Sequence, residues 1–255
     1  QARAPTIDGG GVQRDALEAA CDAAIEGTAR AIVTGPVSKE AVSLSGVSFR
    51  GQTEHLARRA GVNVENVTMM FLGPRLKVAL VATHWAIKRV PSTVTRAHID
   101  RTVRHLTAAL QRWLPGAKPL RIEVAGLNPH AGEGGLLGTE EETIIGPTLE
   151  DLRDEELYAG GDVELIGPTP AEAAFRYAAD GRAHGVVAMF HDQATIPSKL
   201  LDWGEAVNTT WGLPFVRTSV DHGVAYDAAA TGTASESGMV AAIRAAQRLT
   251  GGLEE

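Results

Sequence analysis

The chain lacks the features that mark several classes of protein. Cys21 is its one cysteine in 255 residues, so no internal disulfide can form, as is typical of a reducing compartment. No apolar run approaches the roughly 18–20 residues of a membrane span, and the opening QARAPTIDGGG contains no hydrophobic signal region. The net charge of −7 gives nucleic acid no electrostatic attraction. We therefore expect a cytoplasmic enzyme with neither a membrane nor a nucleic-acid partner.

The remaining composition is that of an ordinary globular protein, with 44% hydrophobic and 22% charged residues. The length allows one large domain or two lobes. Hydrophobic periodicity predicts helices over 12–27, 53–61, 92–114, 139–156 (broken near Gly146-Pro147), 169–180 and 235–252, and strands over 30–36, 67–84 (two strands), 121–128 and 185–192. This alternation predicts an α/β protein with a largely parallel sheet covered on both faces.

Polar residues follow several of the predicted strands directly. The stretches IVTGPVSK, LVATHW, EVAGLNPHAGE and VAMFHDQ each combine an apolar run with a polar or glycine-rich loop. In open α/β sheets, ligands bind beyond the carboxyl ends of the strands. Three of these loops carry a histidine, namely His84, His130 and His191. Three imidazoles and an open position would form a catalytic divalent-metal site. The alternative is that each histidine is a hydrogen-bonded structural residue.

A second cluster of polar residues lies within 196–223. Lys199, Asn208 and Arg217 would together suit a phosphate monoester, because arginine binds phosphate oxygens in pairs and lysine adds a point charge. The alternative is a solvated Lys199 and an ion pair between Arg217 and Asp221. The glycine runs GGG (9–11) and GEGG (132–135) match neither a dinucleotide-binding nor a P-loop fingerprint, so a nucleotide would have to bind by another route.

Motifs along nearly the whole chain resemble one known family. In order they are TGPVSKEAV, GQTEHL, ATHW, GLNPHAGEGGLLGTEE, GPTPAEA, MFHDQ, IPSKLL and VNTTWGLPFVRTSVDHG. Together they resemble the 4-hydroxythreonine-4-phosphate dehydrogenase family of vitamin B6 biosynthesis. The resemblance implies an isocitrate/isopropylmalate-dehydrogenase-like fold, with two α/β lobes and a cleft between them. We place the first lobe at 1–50 with 225–255 and the second at 51–224.

The resemblance also implies a reaction and a set of site residues. It implies oxidation of a secondary alcohol by NAD or NADP, followed by loss of CO2, in a homodimer whose subunits share the active site. A divalent metal (Zn, Co, Mn or Mg) would be bound by His84, His130 and His191, the third contributed by the partner subunit. Catalytic roles fall to Glu172 and Lys199, and substrate contacts to Gln52, Thr53, Lys199, Asn208 and Arg217.

The glycine-rich stretch GLNPHAGEGG, residues 126–135, then has a functional interpretation. Glycine lets the backbone approach a ligand closely, so metal and substrate could lie against the chain beside His130. Glu133 could orient a metal ligand, or could equally be an ordinary surface carboxylate.

The sequence departs from the family pattern in three places. The opening strand of the family and its Gly-Asp-Pro loop are absent, so the first lobe would be incomplete. Gln52 stands where the family usually has histidine, and glutamine cannot act as a base near neutral pH. Glu172 stands where the family often has aspartate, which keeps the carboxylate on a longer arm.

These observations leave three hypotheses. The first is a metal- and NAD-dependent dehydrogenase of 4-phosphohydroxy-L-threonine. The second keeps this chemistry and changes the substrate to D-threonate or D-erythronate 4-phosphate, which Gln52 and the SKEA loop favour. A further branch of the family oxidises aromatic cis-dihydrodiols without a phosphate, and the presence of Lys199, Asn208 and Arg217 argues against it. The third hypothesis is a catalytically impaired metal- or ligand-binding protein.

Overall fold

The computed structural model describes residues 4–251 and divides the chain into two compact units. Unit 1 comprises the residues up to Val67 and those from Val207 onward, and unit 2 comprises Thr68–Ala206. The eight strands are β1 Ala31–Thr34, β2 Thr68–Leu72, β3 Lys77–Leu80, β4 Leu120–Ala125, β5 Val163–Thr169, β6 Gly185–Ala188, β7 Val207–Trp211 and β8 Val216–Ser219.

Eleven α-helices lie within the same described residues. They are α1 Ile7–Ile25, α2 Lys39–Leu44, α3 Gln52–Arg59, α4 Val90–Thr93, α5 Arg96–Trp113, α6 Gly146–Arg153, α7 Glu156–Ala159, α8 Ala171–Ala179, α9 His191–Leu201, α10 Tyr226–Thr231 and α11 Ser237–Leu249. A π-helix, Glu141–Ile145, leads directly into α6. The alternation confirms the predicted α/β class. Residue 252, the end of the last predicted helix, lies outside the described residues.

Unit 1 is built on three strands in the order β1-β8-β7. β1 runs parallel to β8, which places Thr34 opposite Ser219, and β7 runs antiparallel to β8, which places Thr210 opposite Arg217. A separate core of apolar side chains joins α1, β1, α2 and α3; it contains Leu17, Cys21, Ala24, Ile32, Val42, Phe49 and Leu56.

Unit 1 is larger than the first lobe expected from sequence. Residues 51–67 belong to it because Leu56 of α3 packs against the α1 side chains of its core. Residues 207–224 belong to it because β8 hydrogen-bonds to β1 and β7 hydrogen-bonds to β8. The strands β7 and β8 carry mostly polar side chains and lack the uniform apolar run by which buried parallel strands are recognised.

Unit 2 contains the antiparallel hairpin β2–β3 and the parallel neighbours β3, β6, β4 and β5. Helices cover both faces of this arrangement. A Cβ at Gly185 of β6 would meet Leu106 and Leu110 of α5, whereas the next residue, Val186, packs in a cluster with Phe175 of α8. Since successive strand residues face opposite sides, α5 and α8 lie on opposite faces. No helix within residues 4–251 is long and apolar enough to cross a membrane.

The helix α1 begins earlier than its apolar pattern indicates. Its N-cap is Thr6, whose Oγ1 accepts a hydrogen bond of 3.1 Å from the amide of Gly9. Three consecutive glycines weaken a helix, so the sequence pattern predicted a start at residue 12. The close packing of α2 explains why residue 10 is glycine, because a Cβ at this position would overlap the carbonyl of Ala41.

Two adjacent alanine substitutions test this packing. Gly10→Ala forces α1 away from α2, so we expect the free energy of unfolding to fall by about 1–3 kcal/mol. Gly11 has open space around its Cβ direction, so Gly11→Ala should raise that free energy by about 0.5–1 kcal/mol. Urea unfolding of both variants measures the difference. Equal effects of the two substitutions would contradict the packing argument.

Candidate active site

His84 and His191 are brought together by the parallel pairing of β3 with β6. Leu80 lies opposite Ala188 in this pair, and the backbone amides of Val81 and Ala82 extend it by donating to the carbonyls of Ala188 and Met189. The segment after β3 then leads to His84, and the segment after β6 leads to His191, the first residue of α9. Their ring centroids lie 5.4 Å apart with the planes at 44°.

An open cavity of about 270 Å³ surrounds this pair of imidazoles. Asp192 lies beside His191, whose Nδ1 is 2.6 Å from an Asp192 carboxylate oxygen. This contact orients the ring, since a carboxylate partner fixes which ring nitrogen carries the proton. The lining residues are Thr83, His84, Trp85, Ala86, Ile87, Val90, Phe190, His191 and Asp192. Polar nitrogens thus meet largely apolar walls in one cavity.

His130 lies in the loop after β4, the strand on the other side of β6. Its side chain is 69% exposed, and its Nδ1 lies 3.5 Å from a carboxylate oxygen of Glu133. Among the described residues, no group of three or more His, Cys, Asp or Glu side chains is arranged to hold a metal ion. The structure therefore brings together two of the three expected metal ligands within one chain.

The loop that carries His130 wraps around the carboxylate of Glu141. Glu141 is only 3% exposed. Its Oε1 accepts hydrogen bonds of 2.7 Å from the backbone amides of both Leu127 and Asn128, and its Oε2 accepts one of 2.9 Å from the side chain of Asn128. The second amide hydrogen of Asn128 bonds to Glu140 at 2.7 Å, and this contact lowers the pKa of Glu140.

Gln193 connects the same loop to the start of α9. Its Nε2 donates to the carbonyl of Gly126 at 2.9 Å, and its Oε1 accepts from the backbone amide of Met189 at 2.6 Å. Gly126 also donates its own amide to the carbonyl of Thr169 at 2.8 Å. The segments that lead into His130 and His191 are therefore joined through one side chain.

Three other histidines of unit 2 have structural partners. The Nδ1 of His98 lies 2.7 Å from the carbonyl of Thr93, and that of His105 lies 2.9 Å from the hydroxyl of Thr68. His184 accepts from the amide of Arg121 at 2.9 Å. Burial lowers the pKa of both His105 and His184. Partners of this kind are those expected of packed or loop histidines.

Arg217 dominates the polar face of unit 1. It is 3% exposed, and within the described residues it forms no ion pair with a carboxylate. Its guanidinium donates instead to the hydroxyl of Thr210 at 3.0 Å, the hydroxyl of Thr34 at 2.9 Å and the Oε1 of Gln52 at 2.9 Å. Burial lowers the pKa of Arg217 to about 10, and the nearby charge of Glu54 opposes this shift only in part. The alternative in which Arg217 pairs with Asp221 is wrong.

Two buried polar atoms on this face have no hydrogen-bond partner among the described residues. They are the Nε of Arg217 and the Oδ1 of Asn208. Asn208 and Thr210 are two residues apart on β7 and so point to the same face of the strand, and Arg217 lies opposite Thr210. Most buried polar atoms in folded proteins have a hydrogen-bond partner. Two such atoms without a partner on one face therefore call for an explanation, such as a bound ligand.

Gln52 and Thr53 join this face from the first turn of α3. Gln52 donates its Nε2 to the carbonyl of Gly35 at 3.0 Å while its Oε1 accepts from Arg217. The hydroxyl of Thr53 lies 3.4 Å from that of Thr210. Of the expected substrate contacts, unit 1 thus brings four together: Gln52, Thr53, Asn208 and Arg217.

The two expected catalytic residues lie in unit 2 and are both exposed. Glu172 is in the first turn of α8, and Lys199 is in the last turn of α9.

Sequence reasoning missed Glu141, Gln193, Thr34 and Thr210. The threonines stand on strands whose pairing was not predicted, and Glu141 is one of three consecutive glutamates with nothing local to distinguish it. The one usable signal was the spacing of Gly126, Gly132 and Gly138, six residues apart, because all three approach the Glu141–Asn128 contact.

The fold and the polar side chains at its strand ends define an α/β enzyme. The chain belongs to the PdxA family, since the family model described as pyridoxal phosphate biosynthetic protein PdxA matches residues 1–246. The family expected from the sequence motifs is confirmed.

Individual relatives agree with this assignment. The chain is 44% identical over 239 residues to a 4-hydroxythreonine-4-phosphate dehydrogenase of Desulfosudis oleivorans. The aligned region covers 94% of this chain and 68% of the relative. The crystal structure of 4-hydroxythreonine-4-phosphate dehydrogenase from Klebsiella pneumoniae matches with a TM-score of 0.83 and 37% identity, over 97% of this chain and 72% of that one. The expected isocitrate-dehydrogenase-like fold is thereby confirmed.

A third relative carries a different name. The terephthalate 1,2-cis-dihydrodiol dehydrogenase of Burkholderia xenovorans LB400 matches with a TM-score of 0.72 and 29% identity, over 96% of this chain and 74% of that one. Similar structures therefore serve oxidoreductases named for different substrates, and the choice of substrate has to be argued from side chains.

Proposed function

We propose that the protein oxidises 4-phosphohydroxy-L-threonine to 2-amino-3-oxo-4-phosphobutanoate with NAD or NADP, and that decarboxylation then yields 3-amino-2-oxopropyl phosphate. The names of the relatives support this substrate. The observation in this chain that carries the proposal is the buried guanidinium of Arg217, whose partners are all neutral.

The phosphate group of the substrate would supply an anion in direct contact with Arg217, whose present hydrogen-bond partners are neutral. A phosphate oxygen can accept from the unpaired Nε, and arginine is well suited to phosphate because its donors lie in one plane. Thr53 and Asn208 lie on the same face and would donate to the phosphate from the Thr53 hydroxyl and the Asn208 side-chain NH2.

The imidazoles of His84 and His191 support a divalent-metal site in unit 2. Two histidine rings at 5.4 Å beside a cavity are a suitable donor set for Zn, Co or Mn and for Mg in part. His130 completes the proposed set, with one of the three ligands supplied by the partner subunit. Such a metal, when bound, would lower the pKa of the substrate hydroxyl and stabilise the enolate left by decarboxylation.

Proton transfer is assigned to Glu172 and Lys199. The exposed carboxylate and ammonium can exchange protons with solvent between turnovers. Gln52 takes no part in proton transfer, because its amide cannot titrate and both of its ends are already hydrogen-bonded to Gly35 and Arg217.

Exposed apolar side chains in unit 2 support the homodimer. Leu136 is 82% exposed, Leu200 78% and Trp203 80%. Exposed apolar side chains that form a contiguous patch commonly mark protein–protein interaction sites. Leu136 follows His130 in the same loop, so a subunit docked there would lie close to a proposed metal ligand.

The second candidate substrate is D-threonate or D-erythronate 4-phosphate. Gln52 favours it, because an amide that is fixed between Arg217 and Gly35 presents a neutral group to the substrate. These substrates keep the phosphate and lack the amino group. The two candidate substrates therefore differ in whether one carbon carries a positively charged group.

Formation of NADH tests the reaction directly. We expect the wild type to produce NADH from 4-phosphohydroxy-L-threonine, and expect the rate to fall to background with EDTA or with His130→Ala. His98→Ala is the matched control and should keep its activity, because the Nδ1 of His98 contacts the carbonyl of Thr93 and this residue is not among the proposed ligands.

Turnover of the three phosphates side by side separates the two candidates. Faster NADH formation from the threonate or erythronate phosphate would replace the first substrate with the second. NADH formation that EDTA and His130→Ala leave unchanged would contradict the metal-dependent reaction.

Binding of inorganic phosphate tests the role of Arg217 without turnover. Phosphate at 100 times its dissociation constant should raise the free energy of unfolding of the wild type by about 2.7 kcal/mol. Arg217→Met should lose this effect, because the guanidinium that would bind the phosphate is removed. Thermal unfolding with and without phosphate measures both quantities.

The control for this experiment is Arg244→Met, which removes an exposed arginine of the same unit. It should respond to phosphate like the wild type. An equal phosphate response in Arg217→Met and Arg244→Met would rule out the proposed anion site.

A further inference from the structure

Glu141 is a buried carboxylate whose partners are all neutral. Within the described residues it forms no ion pair with Lys, Arg or His, and its three hydrogen bonds come from two backbone amides and one side-chain amide. Burial of a charge is costly unless hydrogen bonds compensate it. The role of this carboxylate is therefore to hold the groups that it binds, which are the amides at the start of the His130 loop.

Three glycines allow the loop to close around this carboxylate. A Cβ at Gly126 would lie 3.1 Å from its Oε1, and one at Gly132 would lie 2.8 Å from its Oε2. At Gly138 a Cβ would overlap the amide of Asn128. The glycine content of the loop is thus explained by its approach to Glu141, in addition to any approach to a ligand.

The backbone beyond these contacts is in an unfavourable conformation. His130, Ala131 and Glu133 have positive φ angles of 54°, 52° and 45°. Residues other than glycine adopt this left-handed region at a cost, so it persists only where the surrounding structure determines it. Glu141 holds the two amides immediately before this segment, at Leu127 and Asn128.

We propose that Glu141 is a positioning residue for the metal site, which fixes the loop so that His130 is held ready for the metal. The inference rests on the proposed role of His130 as a ligand. Glu141 itself is fully engaged with amide donors and does not touch the metal. Residues that orient metal ligands typically change affinity by about 10-fold to 100-fold when they are replaced.

Zinc titration by calorimetry on the full chain tests this role. Glu141→Ala should weaken zinc binding by about 10-fold to 100-fold. Glu141→Gln should restore most of the affinity, because its remaining oxygen can still accept from both backbone amides. Glu142→Ala removes the adjacent exposed carboxylate and is the matched control, with affinity expected to equal that of the wild type.

Amide hydrogen exchange on the metal-free protein gives a second readout. Protection of the amides of Leu127 and Asn128 should fall in Glu141→Ala and stay unchanged in Glu142→Ala. If Glu141→Ala does not fold, Asn128→Asp takes its place, since this near-isosteric change turns the amide donor into a carboxylate that faces Glu140 and Glu141. It should weaken zinc binding at least 10-fold.

The outcomes separate the inference from the proposed function. A wild type that binds no zinc, or whose affinity is unaffected by His130→Ala, would overturn the metal site and the inference with it. Zinc binding that His130→Ala weakens and Glu141→Ala or Asn128→Asp leaves unchanged would overturn the positioning role alone. A loss of affinity in Glu141→Ala that Glu141→Gln does not restore would also contradict the assigned hydrogen bonds.

Discussion

Parallel pairing of neighbouring strands is the constraint on which the candidate site depends. In unit 2, β6 lies between β3 and β4 and runs parallel to both, so the loops after all three strands emerge at one edge. His84, His130 and His191 are carried by these loops. In unit 1, the parallel pair β1 and β8 aligns Thr34 with Ser219, and it brings the Thr34 hydroxyl within 2.9 Å of Arg217. Side chains far apart in the chain thereby share one edge in each unit.

Arg217 in unit 1 and Glu141 in unit 2 are buried charges whose hydrogen-bond partners are all neutral, and the two charges are used differently. Glu141 has donors on both oxygens and so is fully engaged within the protein. Arg217 retains an unpaired Nε on a face that also holds the unpaired Oδ1 of Asn208. The first arrangement stabilises a loop conformation, whereas the second has hydrogen-bonding capacity left for a ligand. This difference is the physical basis for assigning a positioning role to one and phosphate binding to the other.

Much of the fold and part of the site could be predicted from sequence. Apolar runs identified β1, β2, β3, β4 and β6, and the rule that ligands bind beyond parallel strands led to the three histidines. The strands β7 and β8 were missed because their side chains are mostly polar, and with them the contacts of Arg217 to Thr34 and Thr210. Glu141 was missed because its role depends on a loop folding back over it, which no local pattern encodes.

The most direct test of the account is a crystal structure of the protein with zinc and 4-phosphohydroxy-L-threonine. The account predicts the phosphate group within hydrogen-bonding distance of the Arg217 guanidinium, and zinc, located by anomalous scattering, on the imidazole nitrogens of His84, His130 and His191. A phosphate bound away from Arg217, or zinc held by none of these histidines, would contradict it.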